Sequence, residues 1–262
     1  MVQPPLVPSE LPPDFASLPA EERSRILTAG HAMTEYAYRR AGAIIIGAPA
    51  WKGRAIRSGS AFVVEQDGTH FLGTAWHVVA YWLRIRSRVN DLVFQVADAL
   101  IDPTRSLVWK DETSDIAFLC LTSEQFRRIP IAVSESTQGW PPPRPEIGQY
   151  VIMSGYPKVI REQLGPSKIQ FNALSSMLQV TSVGSDYAVC QFFRENWVSF
   201  DNHGVPPPGT DLGGISGAPV LQVRRLDYPL IGLVSEFSPN LELLYFKLLD
   251  SVPPRFNIPH AA

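Results

Sequence analysis

Several residue types and motifs that would indicate particular functions are scarce or missing in this sequence. Only two cysteines, Cys120 and Cys190, occur in 262 residues. A disulfide framework is therefore not expected, and reduced thiols in an intracellular protein are the simpler account, with one bridge as the alternative. The five histidines are dispersed without metal-ligand spacing, and no phosphate-binding GxxxxGK[ST] pattern occurs. We therefore expect neither a metal nor another cofactor.

Charge and hydropathy argue against nucleic-acid and membrane partners. The formal net charge is -2, which gives no overall field to attract nucleic acid or an anionic membrane. No run approaches the ~18 apolar residues of a membrane span. The first residues, MVQPPLVPSELPPDF, lack the basic and apolar regions of a secretory signal. We expect a cytoplasmic protein.

The composition, 45% hydrophobic and 18% charged, is typical of a folded protein. After the proline-rich residues 1–17, residues 18–40 predict a helix capped by Ser17, with Pro19 in its first turn. One face of this helix is apolar and is expected to dock against the body of the protein; it carries Ile26, Ala29, Met33, Tyr36 and Ala37.

From Gly42 onwards the sequence consists of short β-type runs. Asp67-Gly68, between two such runs, is a strong hairpin signal. A proline-rich break, GWPPPRPEIG, separates two series of strands. These features predict an all-β sandwich or barrel fold. We assign an N-terminal segment 1–42, a first unit 43–138, a linker 139–147, a second unit 148–250 and a tail 251–262.

The stretch GTDLGGISGAPV, residues 209–220, packs four glycines around Ser216. Such a loop is either a structural turn or the setting of a nucleophilic serine beside free backbone N–H groups. A nucleophile needs an imidazole to take its proton and a carboxylate to orient that imidazole. His77 in LGTAWHVVA and Asp115 in ETSDIAFLCL are the candidates, although each alone could be a strand-end residue. The chain order His, Asp, Ser is that of chymotrypsin-type enzymes.

These blocks resemble those of trypsin-like serine peptidases with the chymotrypsin fold, and more closely the bacterial standalone and HtrA-like branch. GTAWHVV resembles TAAHVV, SDIAFLCL resembles DIAVLKL, and GISGAPV resembles GNSGGPV. The resemblance covers about two thirds of the chain. It implies two six-stranded antiparallel β-barrels, with His77 as general base, Asp115 as orienting acid and Ser216 as nucleophile. The backbone amides of Gly214 and Ser216 would form the oxyanion hole.

The sequence also departs from this family. Trp76 replaces a small residue beside His77, and Ala218 replaces a glycine after Ser216. Ile215 stands where secreted trypsins have an aspartate, so activation by a freed N-terminus is not expected. His203 is interpreted as a loop residue.

The resemblance gives only conflicting hints about the substrate pocket. It places the pocket base at Thr210, with Asp211 beside it, and the opposite wall at Ser235, Glu236 and Phe237. Asp211 would favour basic side chains, whereas Phe237 would favour small or medium apolar ones. The structural alternative is that Asp211 caps a turn and Phe237 belongs to the core.

The sequence therefore predicts a serine endopeptidase that acts on protein or peptide substrates without a cofactor. We expect restraint by a regulatory partner, by a domain on another chain or by self-cleavage. The alternatives are a catalytically silent binding or scaffold module, favoured by Trp76 and Ile215, and an esterase.

Overall fold

The computed structural model describes residues 18–48, 56–134, 140–165, 169–192, 206–224, 227–253 and 255–256, together with the backbone of residues 197–199. The expected cap Ser17, the loop residue His203 and the proline-rich residues 1–17 lie outside these ranges.

The first unit is a sheet that curls into an open half-barrel. Seven of its strands pair in the order β5-β4-β1-β2-β3-β7-β6, and an eighth, β8, pairs in parallel with β2. In the described residues the end strands β5 and β6 do not pair with each other. The strands are β1 (Gly42–Gly47), β2 (Arg57–Gln66), β3 (Thr69–Ala75), β4 (Val93–Val96), β5 (Ala99–Leu100), β6 (Leu107–Asp111), β7 (Ile116–Cys120) and β8 (Val133–Ser134).

The hairpin expected at Asp67-Gly68 joins β2 to β3. Gln66 pairs with Thr69, and both turn residues have positive φ, 49° at Asp67 and 78° at Gly68. Two positive φ angles match the twist of the flanking strands in a two-residue hairpin. The short helices of this unit are α2 (Trp76–Ile85), α3 (Pro103–Ser106) and α4 (Ser123–Arg127).

The second unit is a closed six-stranded antiparallel barrel. Its strands follow the cycle β13-β17-β16-β15-β9-β12, and β12 pairs back with β13 to close it. The barrel strands are β9 (Tyr150–Gly155), β12 (Leu174–Val183), β13 (Tyr187–Gln191), β15 (Pro219–Gln222), β16 (Leu230–Ser238) and β17 (Leu243–Leu248); the additional short strands are β10 (Glu162–Gln163), β11 (Ile169–Gln170) and β14 (Trp197–Ser199).

The two units pack through the outer face of the second barrel. Alternate residues of a strand point to opposite sides, so Val151 and Met153 of β9 fill the closed barrel, whereas Ile152 joins the core of the first unit. Leu221 of β15 and Leu233 of β16 do the same. One continuous apolar core therefore ties the units together.

Helix α1 (Ala20–Tyr38) docks as expected, against β9 and β12. Met33 and Ala37 are buried in the core shared by the two units. The sequence predicted Pro19 in the first turn of the helix. In the structure Pro19 is the N-cap residue, and the helix begins one residue later, at Ala20. The predicted all-β two-barrel fold with an N-terminal helix is thus confirmed, with the first barrel left open on one side.

Candidate functional site

His77 lies where the first unit changes from strand to helix. Strand β3 ends at Ala75, which pairs with Ile116 of β7, and the N–H of Trp76 donates to the carbonyl of Asp115 at 3.0 Å. The chain then turns into α2 and places His77 in its first turn. The side chain of His77 is 53% exposed. It is anchored at its base but open to solvent at its outer edge.

Asp115 binds His77 at two points. Its Oδ2 lies 2.7 Å from His77 Nδ1, and its Oδ1 accepts the backbone N–H of His77 at 2.8 Å. Because a carboxylate accepts hydrogen bonds, this contact favours the neutral tautomer that has its proton on Nδ1 and a free lone pair on Nε2. This is the tautomer that a general base requires.

A second carboxylate, Asp111, shapes the hairpin loop that carries Asp115. Its oxygens accept the backbone N–H of Thr113 at 2.8 Å and the hydroxyl of the buried Ser114 at 2.7 Å. The Ser114 hydroxyl lowers the pKa of the Asp111 carboxyl below its ordinary value. Asp115 itself has a φ of 53°, a region that non-glycine residues occupy only where surrounding contacts impose it.

Ser216 sits in the glycine-rich loop before β15. Gly214 and Gly217 have φ values of 106° and 90°, which is why glycine is needed on both sides of the serine. A Cβ atom at Gly217 would overlap the carbonyl oxygen of Ser60 and lie 2.5 Å from Thr74 Oγ1. The loop therefore packs its backbone directly against β2 and β3.

Ser60 of β2 holds this loop in place. Its N–H donates to the carbonyl of Ser216 at 2.8 Å, and its hydroxyl donates to the carbonyl of Gly214 at 2.9 Å while accepting the N–H of Tyr156 at 3.0 Å. Ser60 is fully buried. One side chain of the first unit thus fixes the position of the loop from the second.

Two backbone N–H groups beside Ser216 are left unused. The Gly213 carbonyl accepts the N–H of Lys158 at 2.7 Å, and the two dipoles of a trans peptide point in opposite directions. The Gly214 N–H is therefore turned away from Lys158. Within the described part of the chain, neither this N–H nor that of Ser216 donates to a protein acceptor.

The Ser216 hydroxyl donates to the carbonyl of Ser235 at 3.2 Å, and among the described residues it makes no hydrogen bond to His77. The structure nevertheless brings the two regions together. A Cβ atom at Gly59 would lie 2.9 Å from Val78 Cγ2 and 3.5 Å from the Ser216 carbonyl oxygen, and one at Gly217 would lie 3.0 Å from Ala75 N. Ala75 and Val78, which flank Trp76 and His77 in the chain, thus lie against Gly217 and Gly59 at the seam between the units.

The residues expected to form a substrate pocket have mainly structural contacts. Asp211 accepts the N–H of Gly213 at 2.9 Å, and the Thr210 hydroxyl donates to the carbonyl of Pro207 at 2.6 Å. Phe237 is 8% exposed and packs against Phe192, with ring centroids 5.1 Å apart. Asp211 and Phe237 thus occupy the turn-capping and core positions that the sequence left open as the alternative.

The other two wall residues differ from each other. Glu236 is exposed, whereas the Ser235 hydroxyl donates to the carbonyl of Tyr245 at 3.2 Å. A bulge at Val234–Glu236 locally shifts the pairing of β16 with β17. Of the proposed wall, Glu236 alone presents a charged side chain to solvent.

The large ring of Trp76 packs against a lysine of β6. Lys110 Nζ lies 4.2 Å from the centre of the Trp76 ring and 2.5 Å from Glu112 Oε1. The ammonium group is attracted to the ring face. The indole therefore packs beside β6, on the Asp115 side of His77.

Two positioning residues were missed at the sequence level. Nothing singles out Ser60, because its partners Gly214 and Tyr156 are 154 and 96 residues away in the chain. Asp111 had a readable signal. An aspartate followed two and three residues later by Thr113 and Ser114 is a common way to build a side-chain-stabilised turn.

A separate groove of about 1140 Å³ opens on the first unit, between Leu100 of β5, Ser106 next to β6 and Cys120 of β7. It shares no residue with the His77–Ser216 site.

Both cysteines are free, and burial raises the pKa of each thiol. In the described ranges no three His, Cys, Asp or Glu side chains cluster as metal ligands, and no helix is both long and apolar enough to cross a bilayer.

Comparison with solved structures finds distant likenesses to proteases. A thermostable serine protease from an extremophilic microorganism is 14% identical, with 81% of this chain and 92% of that chain covered and a TM-score of 0.45. A scabies mite inactivated protease paralogue is 16% identical, with 84% of this chain and 92% of that chain covered and a TM-score of 0.44. Tobacco etch virus protease is 11% identical, with 81% of this chain and 73% of that chain covered and a TM-score of 0.46. No model of a known family and no curated protein matches the chain. The strand pairing itself defines the two-barrel fold.

Proposed function

We propose that this protein is a serine endopeptidase in which Ser216 is the nucleophile, His77 the general base and Asp115 the orienting acid. The observation that carries the proposal is the double attachment of Asp115 to His77, at 2.7 and 2.8 Å. It holds the ring through Nδ1, which supports a role for His77 Nε2 as the base. A carboxylate that merely ended a strand would not need to bind both the ring and the backbone of one histidine.

The reaction would proceed in two halves. Ser216 Oγ attacks the peptide carbonyl carbon while its proton passes to His77 Nε2, and the N–H groups of Gly214 and Ser216 receive the developing oxyanion. His77 then gives the proton to the leaving nitrogen as the C–N bond breaks, which leaves an acyl-enzyme. Water attacks the ester by the same route and restores the Ser216 hydroxyl. Asp115 stabilises the imidazolium in both halves.

Catalysis requires the Ser216 hydroxyl to leave the carbonyl of Ser235. Rotation about the Cα–Cβ bond of Ser216 would release the hydroxyl, at the cost of one neutral hydrogen bond worth about 1 kcal/mol. Substrate binding in the seam would favour the rotation, because the exposed ring of His77 then loses its contact with water.

The direct test is labelling by a fluorophosphonate probe, which reacts with activated serines. The protein should be labelled at Ser216, and Ser216→Ala should not be labelled and should lose about 10⁴- to 10⁶-fold in turnover. Peptide mapping by mass spectrometry locates the modified residue. Labelling at another serine, or equal labelling of the two proteins, would refute the assignment.

Asp115→Asn tests the role of the carboxylate. The backbone N–H of His77 would keep the amide oxygen of the new side chain as its acceptor, so the amide NH₂ would face Nδ1. That arrangement puts the imidazole proton on Nε2, and we expect turnover to fall about 10⁴-fold. The melting temperature should change little, which separates this effect from unfolding. A loss of less than tenfold would contradict the proposal.

The second candidate is a binding or scaffold module without turnover, and the Ser216–Ser235 hydrogen bond at 3.2 Å favours it. If that bond persists, the serine is not activated, and the intact protein stays unlabelled at every pH from acidic to alkaline. An esterase shares the same groups; comparing hydrolysis of matched amide and ester substrates separates it from an endopeptidase.

Finer features of the proposed enzyme rest on the sequence blocks. They favour the bacterial HtrA-like or standalone branch and protein or peptide substrates. A cytoplasmic location is proposed from the two free cysteines, and the absence of a cofactor from the dispersed histidines and from a mechanism that needs none. Regulation by another protein or by self-cleavage belongs to the same set. The specificity pocket formed by Thr210, Asp211, Ser235, Glu236 and Phe237 is the least supported of these features. The side chains of Thr210 and Asp211 bind turns, and that of Phe237 packs in the core.

A further inference from the structure

A pair of arginines borders the candidate site on the side of His77. Arg57 and Gly59 are two residues apart on β2 and therefore lie on the same face of that strand. A Cβ atom at Gly59 would contact Val78 and the Ser216 carbonyl oxygen. The exposed Arg57 side chain thus leaves β2 on the face that packs against Val78 of α2, whereas Ser60 on the opposite face binds Gly214 of the nucleophile loop.

Helix α2 adds the second arginine. His77, Tyr81 and Arg84 are spaced by four and three residues, which places them on one face of the helix. The guanidinium carbon of Arg57 lies 5.7 Å from the centre of the Tyr81 ring, and that of Arg84 lies 5.5 Å from it. The Arg57–Tyr81–Arg84 cluster is therefore one continuous surface that begins a single helical turn from His77.

Neither arginine is neutralised by a described acid. The exposed arginines Arg25, Arg39 and Arg128 each form an ion pair with a glutamate. Arg57 and Arg84 form none with any carboxylate in the described ranges, and their recorded contact is the Tyr81 ring. A third guanidinium, that of Arg161, donates to the carbonyl of Ile56 at 3.3 Å, directly beside Arg57. As far as the described residues show, this surface is positive, and the Arg57 and Arg84 side chains are exposed.

The chemistry determines which part of a substrate would cross this surface. The leaving nitrogen takes its proton from His77, so the segment on the C-terminal side of the cleaved bond must pass next to that ring. The acyl side instead lies towards the amides of Gly214 and Ser216. The cluster begins one helical turn from that ring and is therefore within reach of the leaving segment.

We propose that Arg57 and Arg84, braced by Tyr81, form a subsite that selects aspartate or glutamate within the first few residues after the cleaved bond. This inference rests on the proposed peptidase function. One or two solvent-exposed ion pairs correspond to about a fivefold preference over glutamine. The preference should decline as ionic strength rises, because exposed charges are screened by salt.

A synthetic peptide library with all residues equally represented around the cleaved bond tests the preference. We expect aspartate and glutamate to be enriched about fivefold after that bond for the intact protein, and the enrichment to disappear in Arg57→Ala/Arg84→Ala. Arg88→Ala, which removes an exposed arginine beyond the end of α2, is the matched control and should keep it. Cleavage without acidic enrichment, or enrichment that survives the double substitution, would overturn the inference.

A binding experiment separates this inference from the peptidase proposal. The tripeptide amide Ala-Glu-Glu-NH₂ and its Ala-Gln-Gln-NH₂ counterpart are titrated into ¹⁵N-labelled Ser216→Ala, and the arginine side-chain N–H signals are followed by NMR. The glutamate peptide should bind about fivefold more tightly and shift the signals of Arg57 and Arg84. Equal binding of the two peptides refutes the subsite, whatever the labelling of Ser216 shows. Selective binding by a protein that resists the fluorophosphonate probe supports the subsite and refutes the peptidase.

Discussion

At the scale of single residues, two glycines that both have a positive φ angle differ in what surrounds them. Gly68 and Gly217 have φ values of 78° and 90°. Nothing lies within 4 Å of a Cβ atom placed on Gly68, whereas one on Gly217 would collide with Ser60 and Thr74. The first position requires glycine for its conformation alone; the second requires it also for the approach of two backbones.

These two sites give a matched pair of substitutions. Gly68→Ala should cost about 1 kcal/mol of unfolding free energy, the strain of a positive φ. Gly217→Ala should cost about 3 kcal/mol or more, because overpacking adds to that strain, and it should also displace the nucleophile loop. Chemical denaturation measures both. Equal losses in the two variants would show that the packing of the loop on β2 is looser than described.

The proposed catalytic residues were easier to single out from the sequence than the residues that position them. His77, Asp115 and Ser216 stand out because each requires a particular side-chain type in a recognisable local block. Ser60 makes three hydrogen bonds that organise the site. In the sequence, however, nothing distinguishes it from any other small residue in a strand. Its role arises from the meeting of two units, which no local pattern encodes.

At the scale of secondary-structure elements, α1 is built into the core and is more than an appendage. Met33 is 4% exposed and lies in the cluster shared by the two units, whereas Leu27 of the same helix is 60% exposed. The C-cap residue of the helix also holds the segment that leads into β8, because the Arg39 carbonyl accepts the N–H of Ala132 at 2.7 Å.

Substitutions on the two faces of α1 should therefore differ in effect. Met33→Ala should lower the unfolding free energy by about 2 to 4 kcal/mol through lost burial and the cavity left behind. Leu27→Ala should change it by less than about 0.5 kcal/mol. Thermal or urea unfolding provides the comparison. A small effect of Met33→Ala would mean that the body folds without the helix.

Helix α2 was missed from the sequence for a physical reason. Val78 and Val79 follow His77 directly, and β-branched residues favour strands. Tertiary contacts override this preference: Val79 is fully buried and Val78 packs on Gly59. The strands were easier to predict, because alternating runs and the Asp67-Gly68 turn are local signals.

At the scale of the whole molecule, an ion pair joins three strands where the second barrel closes. Asp186 lies in the turn between β12 and β13, and its carboxylate accepts from Lys247 Nζ of β17 at 2.8 Å. The Leu248 N–H also donates to the Asp186 carbonyl at 3.0 Å. The Lys247 ammonium lowers the pKa of the Asp186 carboxyl below its ordinary value of 3.8.

This shift predicts a defined acid sensitivity. The unfolded chain binds a proton at Asp186 more readily than the folded one, so the contribution is present above pH 3.8 and is lost as pH falls through the lower folded pKa. Asp186→Asn should therefore be less stable than the intact protein near neutrality, and the difference should shrink in acid. Denaturation curves over this pH range measure it, with the exposed Asp98→Asn as control. A difference independent of pH would contradict the prediction.

The sequence indicates that there are two β units, but it does not reveal that the second barrel closes and the first stays open. Two series of short strands on either side of the proline-rich break indicate two β units. Closure depends on β12 being long enough, from Leu174 to Val183, to pair with both β9 and β13. The gap between β5 and β6 follows from a β5 only two residues long, a length that composition does not reveal.

The bridge made by Ser60 has a consequence for how the protein comes into being. As the chain leaves the ribosome, the half with His77 and Asp115 emerges long before the loop that carries Ser216. Until that loop has docked, the proposed base lacks both the proposed nucleophile and the proposed oxyanion donors. Under the proposed function, activity would therefore arise only late in biosynthesis, after the second unit has folded against the first.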